Sequence, residues 1–428
     1  MMKQNKKICL ELLVGVFLAS FIMVGNAKEL PEGTVISADN LDQIMNDTFQ
    51  GIKIGDLLTE KFQIWVRDYA LKMKLGKSTT LKMPPAYLAA TEKYKGQAQL
   101  TPEKTVANYT AGVPFDNVDP NDPDCGWKLT WNHYYGNPIM GDSWIAYGDV
   151  KIYDAHKGEI DHFQAWSAKS IFEGRTSGEP RIGSENDHAR YLLVLTKPYD
   201  IAGIGVFNKQ YNNGKLDDGW AYVKALRRVR RTAGGKSWMD PQPKMDLLND
   251  DNQAILGYPG WFKKWECKGK RHVLAVVTDR DPNKPFKYED VVDEKNFPHW
   301  NTIDVTWEPR EVYVVETEPP DEHPYGRKVL YMDVDYPFYY HGEIYDKKGD
   351  FWRIWRQSYS PIKTCDGAPA YGFAMTNAID FQRERATYIR IGLNKLNCLG
   401  PEFFEASVLK KAASGALEEE ARSIVVPD

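Results

Sequence analysis

The 428-residue chain is poor in the features that carry catalysis or metal binding. It has no Cys-x-x-Cys, so a structural zinc site is not expected, and its eight histidines are scattered without metal-ligand spacing on a helix. His-Glu-x-x-His and Gly-x-Ser-x-Gly are absent, which removes the common metalloprotease helix and the serine nucleophile elbow. Gly235-Lys236-Ser237 resembles the end of a phosphate-binding loop, but Arg230 stands where its first glycine belongs. Gly141-Asp142-Ser143-Trp144 resembles an esterase nucleophile block, yet no histidine follows an aspartate by three residues. A non-enzyme without metal or cofactor is the expectation; paired carboxylates distant in sequence would escape it.

Long hydrophobic runs are missing after the first segment. Lys3, Lys6 and Lys7, the apolar stretch from Leu12 to Val24, and the small residues Gly25-Asn26-Ala27 read as a signal peptide over residues 1–27. The mature chain then begins near Lys28. Cys9 precedes the apolar core, so no lipoprotein-type acylated cysteine is expected. Removal of three lysines and one glutamate takes the net charge from −4 to near −6, which argues against a nucleic-acid partner. Export permits disulfides; Cys125, Cys267, Cys365 and Cys398 allow three pairings, and proximity favours Cys365 with Cys398.

No linker, like-charge run or repeat divides the rest, and aromatics make up 13% of the chain. One large domain is expected. Helical spacing of Leu57, Leu58, Phe62, Trp65, Val66 and Tyr69 predicts one or two helices between Ser37 and Lys74. Pro, Asp, Asn and Gly predict an extended path from Pro84 to Gly126. Strand patterns follow: Ile145 to Tyr153, Tyr191 to Thr196, Ile204 to Gln210, Trp220 to Arg231, His272 to Thr278, Glu311 to Glu316, Lys328 to Asp335, Gly342 to Tyr345, Phe351 to Tyr359 and Ala386 to Leu393. Glu402 to Lys411 and Glu418 to Ser423 read as helical. This gives an N-terminal segment over 28–125, a sheet core over 126–395 and a helical tail over 396–428. The fold class is mainly β with helices: a curved antiparallel sheet, an incomplete barrel, with helices on its concave face. An outer-membrane barrel is disfavoured by the irregular strands and charged terminal helix.

The most specific segment is Trp220-Ala221-Tyr222-Val223-Lys224-Ala225-Leu226-Arg227-Arg228-Val229-Arg230-Arg231. Read as one strand, it puts Arg227, Val229 and Arg231 on one side and Arg228 and Arg230 on the other. One set flanks a pocket, or both sets are solvated and paired to acids such as Asp217, Asp218, Asp246, Asp250 and Asp251. In Phe351 to Tyr359, Trp352 and Ile354 face one side and Phe351, Arg353 and Trp355 the other, so cover is needed on both faces. Asp333 and Asp335 share a strand face with the ligands to bind calcium, but the face reads more readily as solvated, with Leu330, Met332 and Val334 inward.

Asn108-Tyr109-Thr110-Ala111-Gly112-Val113-Pro114-Phe115, Lys128-Leu129-Thr130-Trp131-Asn132, the Trp220 to Arg231 run, Asp250-Asp251 with Gly257, Trp307-Glu308 leading into Val312 to Glu316, and Tyr345-Asp346 with Gly349 and Trp352-Arg353 together carry a likeness. Through them the chain resembles the exported domain of unknown function 1329 family, an outer-membrane lipoprotein-sorting-like group. The resemblance implies a LolA/LolB-like half-barrel enclosing an apolar cavity, periplasmic location at the outer membrane, and handling of lipids or other hydrophobic molecules near efflux-type transporters. It supplies no catalytic residue, and this chain lacks a lipobox. The expected function is a non-catalytic lipid carrier or binding protein with Trp220, Tyr222, Trp352 and Trp355 as walls and Arg228 and Arg230 near an anionic headgroup. The alternative is a scaffolding subunit bound to an outer-membrane or transporter partner.

Overall fold

A computed structural model describes residues 27–136, 140–232, 236–278, 290–416 and 419. All but the last residue of the leader assigned to 1–27, and most of the helix expected over Glu418 to Ser423, lie outside them.

The N-terminal part is a series of short elements: β1 (Val35–Ile36), α1 (Leu41–Ile44), β2 (Thr48–Phe49), β3 (Ile52–Lys53), α2 (Ile54–Leu57), α3 (Glu60–Asp68), β4 (Met73–Leu75), α4 (Pro85–Tyr94), β5 (Gln99–Leu100) and β6 (Val106–Ala107). Thr59 caps α3 by accepting from the Phe62 amide at 3.3 Å, and Phe62, Trp65 and Val66 form its buried stripe. The stretch expected to be extended contains α4, which starts on Pro85, and leads into α5 (Cys125–Gly136). Helix α5 is buried at ten of twelve positions, so it shows no amphipathic period in the sequence. Gly126 permits this depth: a Cβ there would meet the Trp265 carbonyl oxygen at 2.6 Å.

Thirteen strands follow: β7 (Ser143–Asp154), β8 (Gly158–Ile171), β9 (Asp187–Lys197), β10 (Gly205–Tyr211), β11 (Asp218–Val223), β12 (Arg228–Arg231), β13 (Lys264–Ala275), β14 (Thr306–Glu318), β15 (Arg327–Asp333), β16 (Tyr339–Tyr345), β17 (Phe351–Lys363), β18 (Pro369–Asp380) and β19 (Arg385–Leu396). With β1 and β4 they form one curved sheet of 15 strands. Two antiparallel meanders, β14 to β19 and β7 to β12, join where β19 pairs with β7. Strand β13 flanks β14, and β4 pairs parallel to the start of β14, so the sheet is mixed rather than wholly antiparallel. Edges at β1, β12 and β13 leave it open.

Residues directly opposite one another in register share a face. On β17, Ile354 packs with Phe62, Trp65 and Val66, whereas its neighbour Trp355 joins Cys125 and Leu129. The sheet is therefore covered by α3 on one face and α5 on the other, as two-sided apolar strands require. Over β8 to β12 the α3 face is covered by Leu399 to Leu409, leading into α6 (Val408–Ala413), the observed remnant of the expected terminal helix. Cys365 and Cys398 form a disulfide with Cα atoms 5.3 Å apart. Cys125 and Cys267 are free, and the Cys267 thiol donates to the Gly269 carbonyl at 3.9 Å.

Two local expectations are corrected. The arginine run is not one strand: Lys224–Leu226 form a 3-10 turn, and Arg227 is left-handed at φ 48°, folding β12 back on β11. Asp333 is not solvated but buried, where its Oδ2 accepts from Arg310 Nε at 2.9 Å and Tyr340 OH at 2.7 Å. A carboxylate taken from water needs such partners.

Candidate ligand-binding face

The hairpin separates the expected site residues. Trp220 lies opposite Arg231 and Tyr222 opposite Val229, on the α3 face, where both aromatics pack toward Phe207 and the C-terminal segment. Arg230 lies opposite Ala221 and Arg228 opposite Val223, so these two arginines take the α5 face. Both are exposed, and neither forms an ion pair with a described residue, unlike Arg231, which pairs with Asp218. Trp355 is also on the α5 face, but β17 is eight strands from β12, roughly 40 Å along the sheet. It is 1% exposed and part of the core. Trp352 reaches Asp380, donating to Oδ2 at 2.8 Å. The six residues do not converge on one pocket.

Over β14 to β19 the α5 face is sealed. Helix α5 and the segment Lys236 to Phe262, which returns from the hairpin, cover it. Charged pairs hold that segment down. One row across the sheet reads Lys328, Ile344, Arg353, Asp380 and Arg385. Lys328 Nζ meets Asp250 Oδ2 at 2.6 Å and Asp251 Oδ1 at 2.9 Å from the segment. Tyr325 OH donates to Asp251 at 2.6 Å and accepts from Arg353 Nη1 at 2.7 Å, while Arg353 Nε holds Asp380 at 3.0 Å. Asp246 approaches Arg385 at 3.6 Å and accepts from Thr387 Oγ1. Burial alone raises a carboxyl pKa, and Asp250 is raised for that reason despite Lys328. Asp251 is lowered instead, because Lys328, the Tyr325 hydroxyl and the Leu248 amide outweigh its burial. Asp250 and Asp251, singled out in the sequence with Gly257, are thus half of a buried clamp; Gly257 donates its amide to Asp250 at 3.0 Å.

Beyond β7 this cover thins: Met245 still packs with Phe163 of β8 and Leu195 of β9, Tyr134 of α5 stacks on His188 of β9 at 4.1 Å, and Gln210 of β10 donates to the Leu256 carbonyl at 3.4 Å. On the α5 face of β9 to β11, Leu193, Val206, Ala221 and Val223 are only partly buried, and none joins a packed cluster. They form an apolar strip running to the exposed Arg228 and Arg230. At its inner end lie Trp144 and Tyr191, with Lys169 directly between them in register. Lys169 is 5% exposed, and no hydrogen bond or ion pair joins it to a described residue. Burial lowers its pKa to about 8, against the pull of Asp217. The sequence reading missed Lys169 because it missed β8; alternation through Phe163, Ala165, Ser167 and Lys169 was the available signal.

Chemistry elsewhere is sparse. Asp142 in the esterase-like block is buried and accepts from the Thr176 and Ser177 amides at 2.7 and 2.9 Å, a loop bracket rather than part of a nucleophile. The crevice beside it, lined by residues including Tyr87, Tyr135, Met140 and Ile171, encloses about 150 Å³ open to solvent. It encloses no space large enough for a small molecule. No group of three metal-ligating side chains occurs among the described residues, and no described helix is long and apolar enough to cross a membrane.

Among solved structures the chain is similar to a putative outer membrane lipoprotein-sorting protein domain from Vibrio parahaemolyticus, at 16% identity over 68% of this chain and 100% of that one, TM-score 0.44. It is also similar to a DUF1329 family protein from Desulfovibrio piger, at 18% identity over 69% and 100%, TM-score 0.46, and to a LolA superfamily protein from Nitrosomonas europaea, at 12% identity over 65% and 97%, TM-score 0.39. None of the curated proteins matches the sequence. Residues 35–398 match the family described as protein of unknown function (DUF1329), which takes in the sheet, its α5 cover and the clamp. The chain belongs to the DUF1329 family.

Proposed function

We propose that the protein is an exported, non-catalytic binding or carrier protein for a lipid or other hydrophobic molecule held on the open part of the α5 face. The observation that carries this reading is the strip of Leu193, Val206, Ala221 and Val223, half-buried apolar side chains that join no packed cluster among the described residues. A row of half-buried apolar side chains on one sheet face offers an apolar ligand a surface to complete. The unpaired Arg228 and Arg230 at its outer end favour ligands with an anionic group. The charged, then apolar, then small-residue order of the first 27 residues supports export to the periplasm.

Native mass spectrometry with lipid extraction tests this on mature protein purified from the periplasm without detergent. The expected result is a bound lipid or sterol-like molecule at near-stoichiometric occupancy. An empty protein that copurifies with an outer-membrane partner would replace the carrier reading with a scaffolding role.

A further inference from the structure

We infer that Lys169 is the anchor for the anionic headgroup, a carboxylate or a phosphate, of a single-chain amphiphile whose apolar chain lies along the open strip. This deepens the carrier reading and rests on it. The argument begins from a contrast between two buried lysines. Lys328, 1% exposed, has Asp250, Asp251 and the Ala254 carbonyl around its ammonium. Lys169, 5% exposed, has no such partner among the described residues, although an ammonium carries three donors. A buried charge without partners is costly to the fold. In register Lys169 stands between Trp144 and Tyr191; Asp217, His133 and His188 lie within electrostatic reach of its ammonium, yet none of them makes a hydrogen bond or ion pair to it. The group is therefore in place for an acceptor that arrives from outside.

The register supplies the rest of the site. One row away from Lys169, positions Ser167, Leu193, Val206, Ala221 and Arg230 lie opposite one another in turn. From β8 to β12 this path covers roughly 19 Å of sheet, long enough to lay out an extended alkyl chain. The two ends differ in what they offer an anion. Arg228 and Arg230 are hydrated, and exposed ion pairs add little affinity. Lys169, 5% exposed and without a hydrogen-bond partner among the described residues, gains more from an acceptor, so it sets headgroup preference while the arginines raise the encounter rate.

The test is displacement of the neutral apolar reporter phenylnaphthylamine from delipidated protein by oleate, oleyl phosphate and oleyl alcohol. Wild type is expected to favour one or both anions over the alcohol by roughly tenfold or more, the scale of a hydrogen bond to a buried charge. Which anion wins distinguishes a carboxylate from a phosphate head. Lys169→Met is expected to lose that preference while binding oleyl alcohol as before, and Lys169→Arg to keep it; Lys169→Gln replaces the Met variant if that does not fold. A folded Met or Gln variant that retains the preference overturns the assignment, as does wild type that binds alcohol and anions alike, and both leave the carrier reading standing. Wild type that binds none of the three and does not take up the reporter overturns the carrier reading itself.

Discussion

Replacing Lys169 with methionine should make the ligand-free protein more stable, and the size of the gain follows from the burial of the ammonium. A lysine ordinarily titrates near 10.5, and burial brings Lys169 down to about 8. At roughly 1.4 kcal/mol per pH unit, the gap corresponds to about 3 kcal/mol that the unliganded fold bears at neutral pH. Between about pH 7, where Asp217, raised by burial, ionises near it, and pH 8, both folded and unfolded chains hold the Lys169 proton, so the penalty is constant. Between pH 8 and 10.5 the unfolded chain binds more protons than the folded one, so wild-type stability rises with pH relative to the variant. Above 10.5 the penalty is gone. For about 400 residues the unfolding entropy is near 0.8 kcal/mol/K, so 3 kcal/mol corresponds to about 4 °C in Tm. Urea unfolding of delipidated wild type and Lys169→Met from pH 7 to 10.5 checks both sign and shape. A variant that is less stable at pH 7, or a difference that does not shrink as pH rises, would refute a buried, unpartnered ammonium.

Lys328→Met strands Asp250 and Asp251 in the clamp and should cost about 3–5 kcal/mol, read as a lowered urea midpoint. Its effect should far exceed that of Arg231→Ala, whose ion pair is largely exposed. His323 and His341 are buried and held neutral, each lowered to about 3 by burial. Their folded values lie below that of an unfolded histidine, so the unfolded chain takes up protons first as pH falls below about 6.5. Stability should drop across pH 6.5 to 4 with a contribution approaching two protons, about 2.7 kcal/mol per pH unit; His341→Phe should flatten that slope. Removing the Cys365–Cys398 bridge by double serine substitution opens a loop with a sequence separation of 33, and chain entropy sets the loss at about 4 kcal/mol, measurable as a fall in Tm matched by reducing the wild type.

What the sequence made legible was set by how local the signal is. Strands such as Ile145 to Tyr153 and Tyr191 to Thr196 announce themselves by alternation, and the structure extends them to β7 and β9. Helix α5 stayed hidden because it is buried on nearly every side, and β8 and β18 because small and polar residues dilute their pattern. Lys224–Leu226 lack the Gly, Asn or Asp that marks a hairpin, so β11 and β12 read as one strand. The site suffered more. Asp250 and Asp251 stood out, but their partner Lys328 is more than 70 residues away, and Lys169 acquires meaning only from a face that five strands assemble.

The joint between the two meanders also governs how the chain is made. Strand β7 is synthesised early, yet its partner β19 lies more than 200 residues downstream. A nascent chain that has delivered β7 to β12 therefore carries a long unpaired strand edge with apolar side chains on both faces until nearly the last strand emerges. Such an intermediate invites edge-to-edge association with its own copies. Truncations that stop short of β19 should be insoluble rather than merely unstable, and yield should depend on holding factors that shield the β7 edge during synthesis.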